Sequence, residues 1–144
     1  MRHRLRCVVV IVVLLAGWAA PAPLALAASL DATADRVLGH ATFGGHASNA
    51  GGLSAASLFS PQQMAIDPRG NLYVADFDNH SVLEYDAPLT THQSANRVFG
   101  QPGFATGVAN HGGLNASSLT RAAGVALHRQ GNLYVADFDN NRVL

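Results

Sequence analysis

The chain contains no lysine and a single cysteine, Cys7, in 144 residues. Cys7 lies close to the start, so the chain beyond it can form neither a disulfide nor a thiolate zinc site. Its stability has to come from packing alone. Charge is sparse as well, at 12% of residues. Beyond residue 27 the cations are Arg36, Arg69, Arg97, Arg121, Arg129 and Arg142, against eight aspartates and Glu84; six against nine leaves −3. A mildly acidic chain without a basic stripe cannot neutralise a phosphate backbone, which excludes nucleic acid as a partner. Nothing in this composition calls for a cofactor.

Long apolar runs are limited to one, CVVVIVVLLAGWAA at Cys7–Ala20. Fourteen residues fall short of the roughly twenty that span a bilayer, and Pro21 and Pro23 follow at once. Three arginines precede the run and Ala25-Leu26-Ala27 ends it, the pattern of an export signal. The expectation is a signal peptide over 1–27 cut before Ala28, a short linker over 28–34, and no membrane span thereafter. The mature chain is then secreted or held in the cell envelope.

What is present is repetition. GNLYVADFDN stands at Gly70–Asn79 and again at Gly131–Asn140, and a shift of 61 aligns Arg36–Leu83 with Arg97–Leu144 without a gap, about half the positions being identical. Such repeats mark one supersecondary unit that buries its apolar faces on copies of itself. QQMAID (Gln62–Asp67), NLYVAD (Asn71–Asp76) and SVLEYD (Ser81–Asp86) read as strands, and RVFG (Arg97–Gly100) as a fourth, outer one. In NLYVAD both alternating sets are apolar, so this strand is expected to be covered on both faces. Asp67-Pro68-Arg69-Gly70 has the residues of a type I turn, and the second copy keeps the glycine, Gly131. Asp76 is expected to cap the following turn with its own carboxylate. Four strands per unit, repeated, predict an all-β chain built of β-propeller blades.

GNLYVADFDNHSVLEYD and its second copy GNLYVADFDNNRVL resemble the NHL-repeat family of exported bacterial β-propellers. The second copy fits through Asp137, Asn140 and Arg142. The first has Asp76, Asn79 and His80, but Ser81 stands where the arginine belongs. The resemblance covers about 35–144, with units near 36–96 and 97–144. It implies blades of four antiparallel strands and a scaffold or sensor role outside the cell. The second unit stops within its third strand at Leu144, the counterpart of Leu83, so the chain reads as part of a longer propeller. A ring assembled from several short chains is the less favoured alternative. The lone RVLG segment, Arg36–Gly39, reads as a strand that completes another blade.

Chemistry is thinly represented. Asp76, Asp78, Asp137 and Asp139 offer hard oxygen ligands, but the spacing of a calcium loop is missing, which favours a turn-capping first aspartate and a solvated second. Asp137 and Arg142 are placed to pair across a hairpin. The histidines do not recur: the counterparts of His40, His46 and His80 are Gln101, Gly107 and Asn141, and those of His111 and His128 are Ala50 and Asp67. A repeated metal site is therefore not expected. No G-x-S-x-G occurs, and the glycine pairs Gly44-Gly45, Gly51-Gly52 and Gly112-Gly113 lack the setting of a phosphate loop. Asn79-His80-Ser81 and Asn115-Ala116-Ser117 match the glycan acceptor triplet. The function expected is a non-catalytic exported scaffold binding a protein or surface polymer. The alternative is part of a metal-dependent propeller lyase or lactonase.

Overall fold

The computed structural model describes residues 33–144; the expected export signal over 1–27 and most of the linker over 28–34 lie outside the described residues. Strands β1 (Pro61–Ile66), β2 (Leu72–Asp76), β3 (Ser81–Tyr85) and β4 (Arg97–Phe99) form one antiparallel sheet in that order. Strands β5 (Ala122–Leu127), β6 (Leu133–Asp137) and β7 (Arg142–Val143) form a second, three-stranded sheet. A single 3-10 turn, Phe77–Asn79 or Phe138–Asn140, joins the two strands that follow the decapeptide's start. These are two blade-like sheets, and no closed ring is present among the described residues.

The local chemistry of each turn accounts for the hairpins. Gly70 donates its N–H to Asp67 O at 3.0 Å, and Asp67 Oδ1 accepts the N–H groups of Arg69 and Asn71. Gly70 has φ +90° and Gly131 φ +91°, the left-handed region that glycine enters without a Cβ penalty. In the second copy His128 Nδ1 takes the place of the Asp67 carboxylate and accepts Gln130 N–H at 3.3 Å.

β4 pairs with the far side of β3, Val82 opposite Phe99 and Leu83 opposite Val98, so RVFG is the outer strand of the first sheet. The sheets are therefore out of phase with the sequence period: the second copy's opening residues complete the first copy's sheet. Arg36–Gly39, expected to be a strand, forms none. A strand needs a ladder, and the edge of β3 is already occupied by β4; the segment accepts His92 N–H on Val37 O instead.

β2 is buried along its whole length, as its two apolar sets require. Tyr73 and Ala75 enter a core between the sheets with Val82, Leu119, Ala122, Val125 and Val135. Leu72 and Val74 enter a second core with Leu83, Tyr85 and Ala95, beneath the loops that carry Leu38 and Leu58. Each leucine or valine among them, withdrawn from water, contributes about 1.5–3 kcal/mol.

One close approach is strict. Gly100 has φ +89°, and a Cβ there would lie 2.6 Å from Leu119 Cδ1 and 2.9 Å from the His80 carbonyl oxygen. Gly100→Ala is expected to destabilise by about 2–3 kcal/mol, combining backbone strain with overpacking. Gly112→Ala, with φ +74° but open space around it, is expected to cost about 1 kcal/mol. Denaturant midpoints at constant m-value compare the two; equal losses would show that the Leu119 contact is not what requires glycine.

Candidate functional site

Each decapeptide ends in a latch. Asp76 Oδ1 accepts the backbone N–H of Phe59 at 2.7 Å, and Oδ2 accepts Asn79 Nδ2 at 2.7 Å. Asn79 in turn exchanges two amide hydrogen bonds with Asn49, both 2.9 Å. The second copy repeats this atom for atom: Asp137 accepts Thr120 N–H and Asn140 Nδ2, and Asn140 exchanges bonds with Asn110. The result ties three separate pieces of chain together: the long loop, the entry to the first strand, and the turn.

This corrects the expected capping role of the first aspartate. Neither Asp76 nor Asp137 makes a side-chain cap bond to its own turn. Two N–H groups at the turn are engaged elsewhere, His80 N with Phe77 O and Asp78 N with Phe59 O. The backbone donor that the carboxylate takes is the N–H of Phe59, seventeen residues upstream. Asn79, held in the latch and buried, is also unavailable as a glycan acceptor.

The two latches differ in charge. Arg142 Nε lies 2.7 Å from Asp137 Oδ2, and its Nη2 donates to Ser118 O at 2.7 Å. The pair is not a surface ornament: Asp137 is fully buried and the Arg142 side chain is 25% exposed. In the first copy Ser81 leaves Asp76 without a guanidinium. Burial then dominates, opposed by the bonds from Asn79 and Phe59, and pushes the Asp76 carboxyl up to about 6.

The latches set up one end of the two sheets, where the two turns lie side by side. The Phe77 and Phe138 rings are 6.0 Å apart at 51°, and Phe138 is exposed. Arg121 sits between them: its guanidinium is 5.5 Å from the Phe77 ring centre, 3.8 Å from Asp78 and 3.5 Å from Asp139. All three charged groups are partly solvated, so each pair contributes at most about 1 kcal/mol. The second aspartates are thus not simply solvated; they share one arginine. His80 closes the group. It adopts φ +55°, a left-handed conformation that His and Asn tolerate better than most residues, and its Nδ1 accepts Arg121 N–H at 3.1 Å. Burial, with Arg121 adding to it, lowers the His80 pKa.

Of the sequence-derived residues, the structure brings Asp137, Asn140 and Arg142 into one latch and Asp76 with Asn79 into the other. Sequence reasoning missed Asn49 and Asn110, although the shift of 61 pairs them and both carry positive φ, 47° and 48°. It also missed Arg121, which has no repeated signal because its counterpart is Ser60. Among the described residues no three His, Cys, Asp or Glu side chains converge as a metal set, and no helix is long and apolar enough to cross a membrane. A groove of about 390 Å³ between the sheets is lined by Val98, Phe99, Leu119, Leu133, Val135 and Leu144 among others, with no titratable side chain. A family model for the NHL repeat matches residues 60–85 and 119–144. A search of curated proteins returned no match.

Proposed function

We propose, on the premise that this chain carries two NHL repeats at 60–85 and 119–144, that it is an exported, non-catalytic scaffold. Its binding face is the end of the sheets that holds Phe77, Phe138, Asp78 and Asp139, and its partner is a protein or a polymer of the cell surface. The observation that carries this reading is the pairing of the two turns. Each latch fixes its turn rigidly, and the repeat sets an aromatic ring and a carboxylate from each unit next to those of the other. A rigid array of exposed aromatic and charged groups suits recognition more than chemistry, since none of them is placed against a nucleophile or a paired acid. Export rests on the N-terminal pattern of arginines, apolar run and A-L-A.

The test is retention of the purified full chain on the envelope fraction of its producing cell. Phe138→Ala with Asp139→Asn is expected to weaken retention by about tenfold or more, the loss of one aromatic anchor. The melting temperature should barely move, because both side chains are exposed. Undiminished retention by the doubly substituted chain would remove this face from consideration.

A further inference from the structure

The fold buries one glycan-acceptor triplet and leaves the other open. Asn79 is held in its latch at 3% exposure, whereas Asn115, Ala116 and Ser117 are all exposed. These three form a tight turn in the long loop before β5. Asn115 N–H donates to Ser118 Oγ at 2.9 Å, and that hydroxyl donates back to Asn115 O at 3.3 Å. Ser118 is buried, so it anchors the turn from below. A Cβ added at Gly112 or Gly113 would meet nothing within 4 Å, which leaves the approach to Asn115 clear.

The first unit makes the same turn with different letters. Ser54 N–H donates to Ser57 Oγ at 2.9 Å, and Ser57 Oγ donates to Ser54 O at 3.3 Å. Ser54 is exposed, and Gly51 and Gly52 stand in open space, although the second sheet packs against the first. Exposure here belongs to the turn itself. Asn115 stands for Ser54 and Ser117 for Ala56, and these two differences together make the triplet. The turn needs neither of them.

The triplet's own side chains are arranged on one another. Asn115 Oδ1 accepts both the N–H and the Oγ–H of Ser117, each at 2.8 Å, and Asn115 Nδ2 donates to Gly113 O at 2.9 Å. An amide nitrogen is a poor nucleophile because its lone pair is delocalised into the carbonyl. Loss of an Nδ2 proton moves negative charge onto Oδ1, and two donors already aimed at that oxygen stabilise it. Nδ2 also carries a second hydrogen beyond the one given to Gly113.

We propose that Asn115 is an N-glycosylation site, modified from a lipid-pyrophosphate-linked oligosaccharide by a transferase. Nδ2 forms the bond to the anomeric carbon, the bond from that carbon to the pyrophosphate oxygen breaks, and the pyrophosphate leaves with the electron pair. The amide proton passes to a base of the transferase. Modification rests on export, as proposed above, because acceptor triplets of this kind are used on the surface loops of secreted chains. It does not involve the Phe138 face.

The full chain recovered from its producing cell, cleaved after arginine and sequenced by mass spectrometry, provides the test. The peptide 98–121 should carry sugar on Asn115, and the peptide 70–97 should show Asn79 bare. Asn115→Ser and Ser117→Ala each restore a residue of the first unit's turn, so both should keep the parent's melting temperature and lose the sugar completely. Ser117→Thr keeps the hydroxyl and should retain the sugar. The N-terminal peptide reads export separately. A chain that begins at Ala28 with Asn115 bare overturns the modification and leaves export standing; one that keeps residues 1–27 with Asn115 bare defeats both. Sugar on Asn79, sugar on a serine, or sugar that persists in Ser117→Ala would each overturn the assignment as well.

Discussion

Asp137→Ala should cost about 3–4 kcal/mol of stability, more than its counterpart Asp76→Ala, which should cost about 2 kcal/mol. Both substitutions leave a backbone N–H without its acceptor, Thr120 in one case and Phe59 in the other, and both release the asparagine that closes the latch. Asp137 alone also neutralises a guanidinium. Without the carboxylate, Arg142 keeps only Ser118 O, and its charge stays three-quarters buried and unpaired. Breaking a buried pair from one side is costly for that reason, and partial access of water to Arg142 holds the loss near the lower end of the range. Asp76→Ala removes a charge that had no partner, so part of its hydrogen-bond loss is offset by the relief of desolvation. Chemical denaturation of the two variants, each against the parent, gives the comparison. Equal losses would mean that Arg142 adds nothing to the second latch.

Stability should fall as pH rises from about 4 to about 6, the reverse of the usual behaviour of an aspartate. The Asp76 carboxyl sits at about 6 in the folded chain, from an ordinary value of 3.8, with burial as the leading cause. Between those values the folded state holds a proton that the unfolded state has released. The contribution is therefore complete below pH 4, declines through pH 6, and is gone above it. Two pH units correspond to about 3 kcal/mol at the upper limit. Histidines titrate nearby, so the informative quantity is the difference between the parent and Asp76→Asn, which lacks the titrating group. Thermal midpoints across pH 4–7 should converge or cross for this pair as the pH changes. A constant difference would show that the hydrogen bonds from Phe59 and Asn79 hold the carboxylate ionised despite its burial.

The strands could be read from the letters because their signals are local. NLYVAD is apolar on both alternating sets, and turn residues bound it, so β2 and β6 follow without knowledge of any partner. RVFG was legible as an outer strand for the same reason, and Asp137 lies opposite Arg142 because the tight turn between β6 and β7 sets the two in register. The latch was not legible. Asp76 finds Phe59 seventeen residues away and Asn79 finds Asn49 thirty residues away, distances at which the sequence carries no geometric preference. Arg36–Gly39 shows the limit from the other side. Its letters match those of β4, yet it forms no strand, because pairing depends on an open edge and not on propensity. The sequence by itself determined the repeat, its strands and its turns. Only the tertiary structure decided which side chains meet between them, since a carboxylate out of water must accept whatever donors the packed chain brings to it.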